Sequence, residues 1–172
     1  MVTNFKIKRI TSETELNGTS KVFQKTWQNA YKNMLPANEL AKIKPDMWVN
    51  RLSRNDRYNL IAINTDNRVL GVVSYGNLRK KGQIVSDCGE LMAIYVLPNF
   101  QDFGIGSELL KSAENDLVKM NFTQAALWVL KDNTVARKFY EQHGWKLNDV
   151  TQGAEILGKN VELVEYGKKL KN

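Results

Sequence analysis

Two glycines one residue apart, Gly104 and Gly106, fall in the stretch Val96-Leu97-Pro98-Asn99-Phe100-Gln101-Asp102-Phe103-Gly104-Ile105-Gly106-Ser107. It leaves a strand-like run, crosses a short loop and enters a helix-like run. Backbone N–H groups in the first turn of a helix have no internal acceptor and lie at the positive end of the helix dipole. Glycines let an anion approach those groups, so this turn suits a phosphate or pyrophosphate. Two familiar nucleotide sites are excluded by the neighbouring residues. A dinucleotide fingerprint needs a third glycine where this chain has Leu109, and a P-loop needs a lysine that Gly106-Ser107-Glu108 lacks. The competing reading of an isolated Gly-x-Gly is tight packing alone.

The surrounding periodicities say what must hold this turn in place. Phe5 to Ile10 alternates apolar and polar residues as a half-buried strand does. Val22, Phe23, Trp27, Ala30 and Tyr31 recur at helical spacing within Thr19–Lys32, and Pro36 stops that helix. A second helical stretch covers Asn38 to Leu52 with a break near Pro45. Tyr58–Ile63 and Val69–Tyr75, joined by an Asn/Asp-rich link, predict a hairpin, and Glu90–Val96 a further strand. Ile105, Leu109, Ala113 and Leu117 stand four apart in Gly104–Met120 and mark an amphipathic helix. Gln124–Val129 reads as a buried strand. Asp132 or Asn133 caps a helix over Thr134–His143 that Gly144 ends. Strands at Trp145–Val150 and Val161–Tyr166 complete the order. The expected architecture is α/β (α+β): one mixed, mostly antiparallel central sheet of about six or seven strands with helices on both faces. No repeat or Pro/Gly/Ser-rich linker divides the chain, so residues 1–172 are expected to form one domain.

Composition narrows the function classes. Hydrophobic residues make up 42% and charged residues 25% of 172, the balance of a globular protein with a real core. The longest apolar run is the six residues Ala125–Leu130, against the roughly 20 of a membrane span, so no membrane partner is expected. The start, Met1-Val2-Thr3-Asn4-Phe5-Lys6, lacks a secretory apolar block, and one cysteine allows no internal disulfide. A cytoplasmic location follows as an expectation. One cysteine and one histidine make no metal cluster. The net charge of +7 invites a nucleic-acid reading, but the basic clusters are short and lack interleaved aromatics. Solvated surface charge, partly serving a phosphate-rich ligand, is the preferred account, with no nucleic-acid partner.

Residues beyond the turn sharpen the reading. Gln101-x-x-Gly104-x-Gly106 after Ile94-Tyr95-Val96-x-Pro98 closely resembles the acetyl-CoA signature of the GNAT superfamily of N-acetyltransferases. Leu127–Asn133, then Ala136, Phe139-Tyr140-Glu141 and Gly144-Trp145, is similar to that superfamily's strand–Asn–helix–Tyr–Gly–aromatic segment. Together the two motifs cover about residues 89 to 146, and Trp27-x-x-Ala30-Tyr31 with Leu35-Pro36 resembles many bacterial members.

The resemblance implies a GNAT-like fold, acetyl-CoA as cosubstrate and acetyl transfer to a primary amine of a small molecule or peptide, by direct attack in a ternary complex. A non-catalytic acyl-CoA-binding or regulatory module of the same fold is the alternative. By the same resemblance, Gln101, Asp102, Phe103, Gly104, Ile105, Gly106 and Ser107 wrap the CoA pyrophosphate through backbone N–H groups. Ile94, Tyr95 and Val96 run along the pantetheine arm, and an N–H near Val96 polarises the thioester carbonyl. Asn133 bonds the arm or caps its helix. Tyr140, two helical turns on, protonates the leaving thiolate, which its ordinary pKa of about 10 allows.

Glu90 is either the general base or an exposed strand-end carboxylate, and His143 is expected to interact with its helix terminus. Trp27 and Tyr31 are candidates to line the acceptor pocket, with core packing as their other reading. One departure matters. Ribosomal-protein acetylating relatives carry a glutamate five residues before the asparagine, where this chain has Trp128, which argues against that specialised role. The resemblance also allows a homodimer.

Overall fold

Residues 4–171 are described by the computed structural model. Their order is β1 (Phe5–Arg9), α1 (Glu13–Ala30), α2 (Ala37–Ala41), α3 (Val49–Leu52), β2 (Arg57–Asn64), β3 (Val69–Lys80), β4 (Gln83–Val96), a 3-10 turn (Pro98–Phe100), α4 (Ile105–Lys119), β5 (Gln124–Leu130), α5 (Thr134–Gln142), β6 (Lys146–Ile156) and β7 (Lys159–Lys169). The strands make one seven-stranded sheet in the order β1-β2-β3-β4-β5-β7-β6. Every neighbouring pair is antiparallel except β4–β5, which is parallel. The mixed, mostly antiparallel sheet with helices on both faces is the expected architecture.

Each face has its own core. On one face α1, α2 and α3 bring Val22, Phe23, Leu40, Trp48 and Leu52 onto Ile61, Ile63 and Val72. On the other, Ile105, Leu109, Leu110, Ala113 and Leu117 of α4 and Tyr140 of α5 cover Val73, Leu91, Leu127 and Tyr166. The four-residue spacing seen in the sequence is therefore the buried stripe of α4, with Leu109, Ala113 and Leu117 wholly buried. A leucine so buried stabilises the fold by about 2 kcal/mol, which anchors the N-terminus of α4 against the sheet.

Four regions differ in their boundaries from the sequence expectation. Helix α1 begins at Glu13, a turn and a half before Thr19, because Ser12 caps it: the Glu15 N–H donates to Ser12 Oγ at 3.2 Å, and the Glu15 carboxylate accepts from the Thr11 N–H at 2.8 Å. Those first turns are polar and leave no hydrophobic period to read. Strands β3 and β4 run on into a hairpin that turns at Lys81-Gly82, and β6 and β7 do the same through Leu157-Gly158, with positive φ at all four residues. The break at Pro45 is complete, so α2 and α3 are separate short helices.

Candidate active site

Strands β4 and β5 pair only at Cys88↔Gln124, Gly89↔Ala125 and Glu90↔Ala126. Beyond that point β4 stays with β3, through Ile94↔Val73, Tyr95↔Val72 and Val96↔Gly71, while β5 stays with β7 to Leu130↔Leu163. A wedge therefore opens in the middle of the sheet. A bulge helps to turn β4: Ser74 pairs with Ala93 but Tyr75 with Leu91, so Met92 is an extra residue.

The edge of β4 that faces the wedge carries free backbone groups. The Leu97 N–H donates to the Leu70 carbonyl at 2.8 Å, on the β3 side. Alternation along the strand then directs the N–H groups of Val96 and Ile94 into the opening. The Val96 carbonyl points the same way, since it accepts from Gln101 Nε2 at 3.2 Å. The side chains of Ile94 and Val96 pack on the α4 core, so it is their main chain that meets the wedge.

At the wide end stands the start of α4. Gly104 has φ 81 and ψ 0, a left-handed conformation that suits glycine, and no side chain caps the helix there. The first helical hydrogen bond is Glu108 N–H to the Gly104 carbonyl, leaving the N–H groups of Ile105, Gly106 and Ser107 available. Asp102 also has a positive φ of 67, which completes a tight loop, and Phe103 is exposed. Ile105 contributes only main chain here, because its side chain is 1% exposed in the core. A Cβ on Gly106 would sit 3.5 Å from the Phe139 ring, an ordinary contact, so protein packing alone does not demand glycine there.

The two faces of the sheet deliver different chemistry to the wedge. A Cβ on Gly89 would strike Leu117 of α4, and Leu91 lies in the α4 core, so Glu90 between them faces the α1 side. Burial is the main cause that pushes its carboxyl up to about 7; Glu165 adds to the rise, while Arg57 and the Arg79 backbone N–H oppose it. A carboxylate with that pKa is poised to take a proton near neutrality.

Tyr140 comes from the α5 side, buried, and no protein group among the described residues hydrogen-bonds its hydroxyl. Burial, with the neighbouring Tyr95 phenol, holds its pKa well above the usual phenol value, so it keeps its proton. Tyr95 and Tyr31 phenols face it from the α1 side, and both are likewise raised, chiefly by burial. Trp27 Nε1 donates to the Tyr95 hydroxyl at 3.2 Å and stacks edge-on to Tyr31 at 5.0 Å between ring centroids. Trp27, Tyr31 and Tyr95 thus form an aromatic cluster on the α1 side, which continues into the core through Trp48 at 5.4 Å from Trp27, whereas Tyr140 packs with Phe139, Trp145 and Tyr166 in the core of the other face.

Asn133 caps α5: its Oδ1 accepts from the Ala136 N–H at 3.2 Å. His143 meets its helix terminus as expected, with Nδ1 2.7 Å from the Phe139 carbonyl oxygen. No group of three or more His, Cys, Asp or Glu among the described residues could hold a metal. The sequence reading did not include Arg57, which comes to Glu90 from β2 with no local motif, or the side chain of Tyr95, which was placed only by its main chain.

The model of the acetyltransferase (GNAT) family fits residues 22–145. The chain belongs to that family.

As a GNAT protein it is an acyltransferase, with acetyl-CoA as cosubstrate. It is 27% identical over 123 residues to the uncharacterized N-acetyltransferase YuaI of Bacillus subtilis, covering 69% of this chain and 68% of that one. It is 30% identical over 80 residues to the spermidine N(1)-acetyltransferase of Thermoplasma acidophilum, covering 46% of this chain and 50% of the relative. Among solved structures, the PaiA N-acetyltransferase of Thermoplasma acidophilum in complex with coenzyme A superposes with TM-score 0.73 at 22% identity, over 96% of this chain and 99% of that one. A ribosomal-protein-alanine N-acetyltransferase from Brucella melitensis gives 0.71 at 19% identity, over 96% and 99%. At these identities the two structures speak to the fold. No helix among the described residues is long and apolar enough to cross a membrane.

Proposed function

We propose that this GNAT enzyme, working as a single domain over residues 1–172, moves the acetyl group of acetyl-CoA directly to a primary amine of a small molecule or peptide in a ternary complex. The observation that carries this reading is the parting of β4 and β5 just past Glu90, with a carboxylate on one face of the opening and a protonated phenol on the other. Acetyl-CoA supplies the acetyl group as a thioester.

The uncapped turn at Gln101–Ser107 holds the pyrophosphate through the N–H groups of Ile105, Gly106 and Ser107. The free β4 edge at Ile94–Val96 pairs with the pantetheine amides. The Nδ2 of Asn133 donates to the same arm while its Oδ1 caps α5. Glu90 takes a proton from the acceptor ammonium, so that the amine lone pair can reach the carbonyl carbon. The Val96 N–H holds the carbonyl oxygen as charge gathers on it. Tyr140 gives its proton to the departing sulfur when the C–S bond breaks, and the second proton that the attacking nitrogen sheds as the amide forms returns to the Tyr140 phenolate.

Trp27 and Tyr31 line the acceptor side, where aromatic faces suit the carbon chain and cationic head of an alkylamine. The relative that carries a spermidine acetyltransferase name makes polyamines the first acceptors to try. The deciding experiment combines calorimetric titration with acetyl-CoA, CoA and NAD with a thiol-release assay over polyamines, amino acids and peptide amino termini. Saturable binding of acetyl-CoA and CoA but not NAD, with amine-dependent release, is the expected result. Binding with no release for any amine would sink the transfer reading.

A further inference from the structure

His143 is the only histidine of the chain, and it ties the end of α5 to the start of α4. Its Nδ1 is 2.7 Å from the Phe139 carbonyl oxygen, and its Nε2 is 2.9 Å from Ser107 Oγ. A carbonyl can only accept, so Nδ1 carries a proton in both ionisation states. In the neutral ring Nε2 must accept, and the Ser107 hydroxyl commits its one proton to the imidazole. In the imidazolium Nε2 donates instead, Ser107 Oγ accepts, and the hydroxyl proton is free for another acceptor.

Ser107 lies in the first turn of α4, beside the same uncapped N–H groups that form the anion cradle. We propose that His143 is a positioning residue of the cofactor loop, and that the CoA pyrophosphate draws a proton onto its ring by recruiting the Ser107 hydroxyl as a donor. The proposal rests on the assignment of residues 101–107 to the pyrophosphate.

The charges around the ring leave room for this coupling. From α4, Glu114 accepts from Lys168 Nζ at 2.9 Å and from Trp145 Nε1 at 3.0 Å, while Lys111 stands one turn after Ser107. From β7, Lys168 also donates to the carbonyl of His143 itself at 2.8 Å. Lys146 of β6 borders the same groove, and on α5 Glu141 accepts from the Tyr166 hydroxyl at 2.6 Å. Glu114 and Lys168 offset one another, and Lys111 and Lys146 oppose a further cation. The added negative charge that favours the imidazolium comes with the bound pyrophosphate.

A single histidine makes the test direct. The imidazole Cε1–H resonance is followed by NMR between about pH 5 and pH 8.5, free and saturated with 3′-dephospho-CoA. That ligand lacks the titrating 3′-phosphate, so its own charge stays constant across the range. Binding is expected to raise the titration midpoint by about half a unit or more, equivalent to roughly threefold tighter binding at the acid end by calorimetry. Ser107→Ala is expected to bind the ligand without the upward displacement, and His143→Gln to bind with an affinity independent of pH. A bound ligand that leaves the midpoint in place or lowers it overturns the proposal, as does a rise that persists undiminished in Ser107→Ala. No binding at any pH would overturn the assignment of the loop itself, and this inference with it.

Discussion

Glu90 and Ala126 are the last residues at which β4 and β5 remain partners, and the sheet opens immediately beyond them. Glu90 therefore stands at the root of the wedge, shielded enough to lift its pKa yet at the edge of the space where an acceptor meets the β4 main chain. Its position links topology to chemistry: the single parallel junction of the sheet is where the strands diverge and where the candidate base sits.

Because Glu90 acts when ionised, activity is expected to rise with pH along a limb centred near 7. Glu90→Gln should lower turnover by about 10²-fold and abolish that limb in a pH–rate profile. Two neighbours should move the limb in opposite directions. Arg57→Met removes a cation that favours the carboxylate and shifts it up, whereas Glu165→Gln removes a repelling charge and shifts it down. Limbs that stay in place in both variants would dissociate the profile from Glu90.

The same residue carries a stability signature. A carboxyl raised above its unfolded value by burial favours the fold below the ordinary carboxylate range, and that advantage is lost as pH climbs through about 7. Glu90→Gln is therefore expected to melt above the parent at pH 8 and to lose this margin at pH 4, by calorimetric scans at both values.

Tyr140→Phe tests the proton donor without disturbing the core. The hydroxyl has no hydrogen-bond partner among the described residues, so its loss leaves none of them unsatisfied and the melting temperature should hold. Thiol release should fall by about 10²-fold while CoA affinity is retained. Unchanged turnover would remove Tyr140 from the mechanism.

Two glycines near the wedge should respond oppositely to alanine. A Cβ on Gly71 would lie 2.9 Å from the Tyr95 carbonyl oxygen, on the β4 backbone that borders the opening. Gly71→Ala should cost about 1–3 kcal/mol of stability and weaken CoA binding together. Gly106→Ala meets only an ordinary contact with Phe139 and gains helix propensity, so it should melt at or above the parent. Equal melting temperatures for the two variants would contradict this packing.

What the sequence determined by itself is the part governed by neighbours along the chain. The four-residue apolar stripe of α4, the Asn133 cap, the loop that needs a left-handed glycine at 104 and the His143 contact with its own helix end are each set within about one or two turns of backbone. Local hydrogen bonding and side-chain period act over that distance, so the pattern is visible in the order of residues. The family motifs are legible for the same reason, since each is a strand–turn–helix segment.

The tertiary structure alone decided which distant groups share a medium. Glu90 owes its pKa to burial in a folded sheet and to Arg57 and Glu165, which reach it from β2 and β7. Tyr31, Tyr95 and Tyr140 come from α1, β4 and α5 to one opening, and His143 reaches Ser107 across 36 positions of sequence. The long hairpin ends and the polar first turns of α1 lacked a hydrophobic period, so their extents were set by strand pairing and by a cap rather than by composition. Burial and electrostatic coupling depend on distance through space, and that distance exists only once the chain has folded.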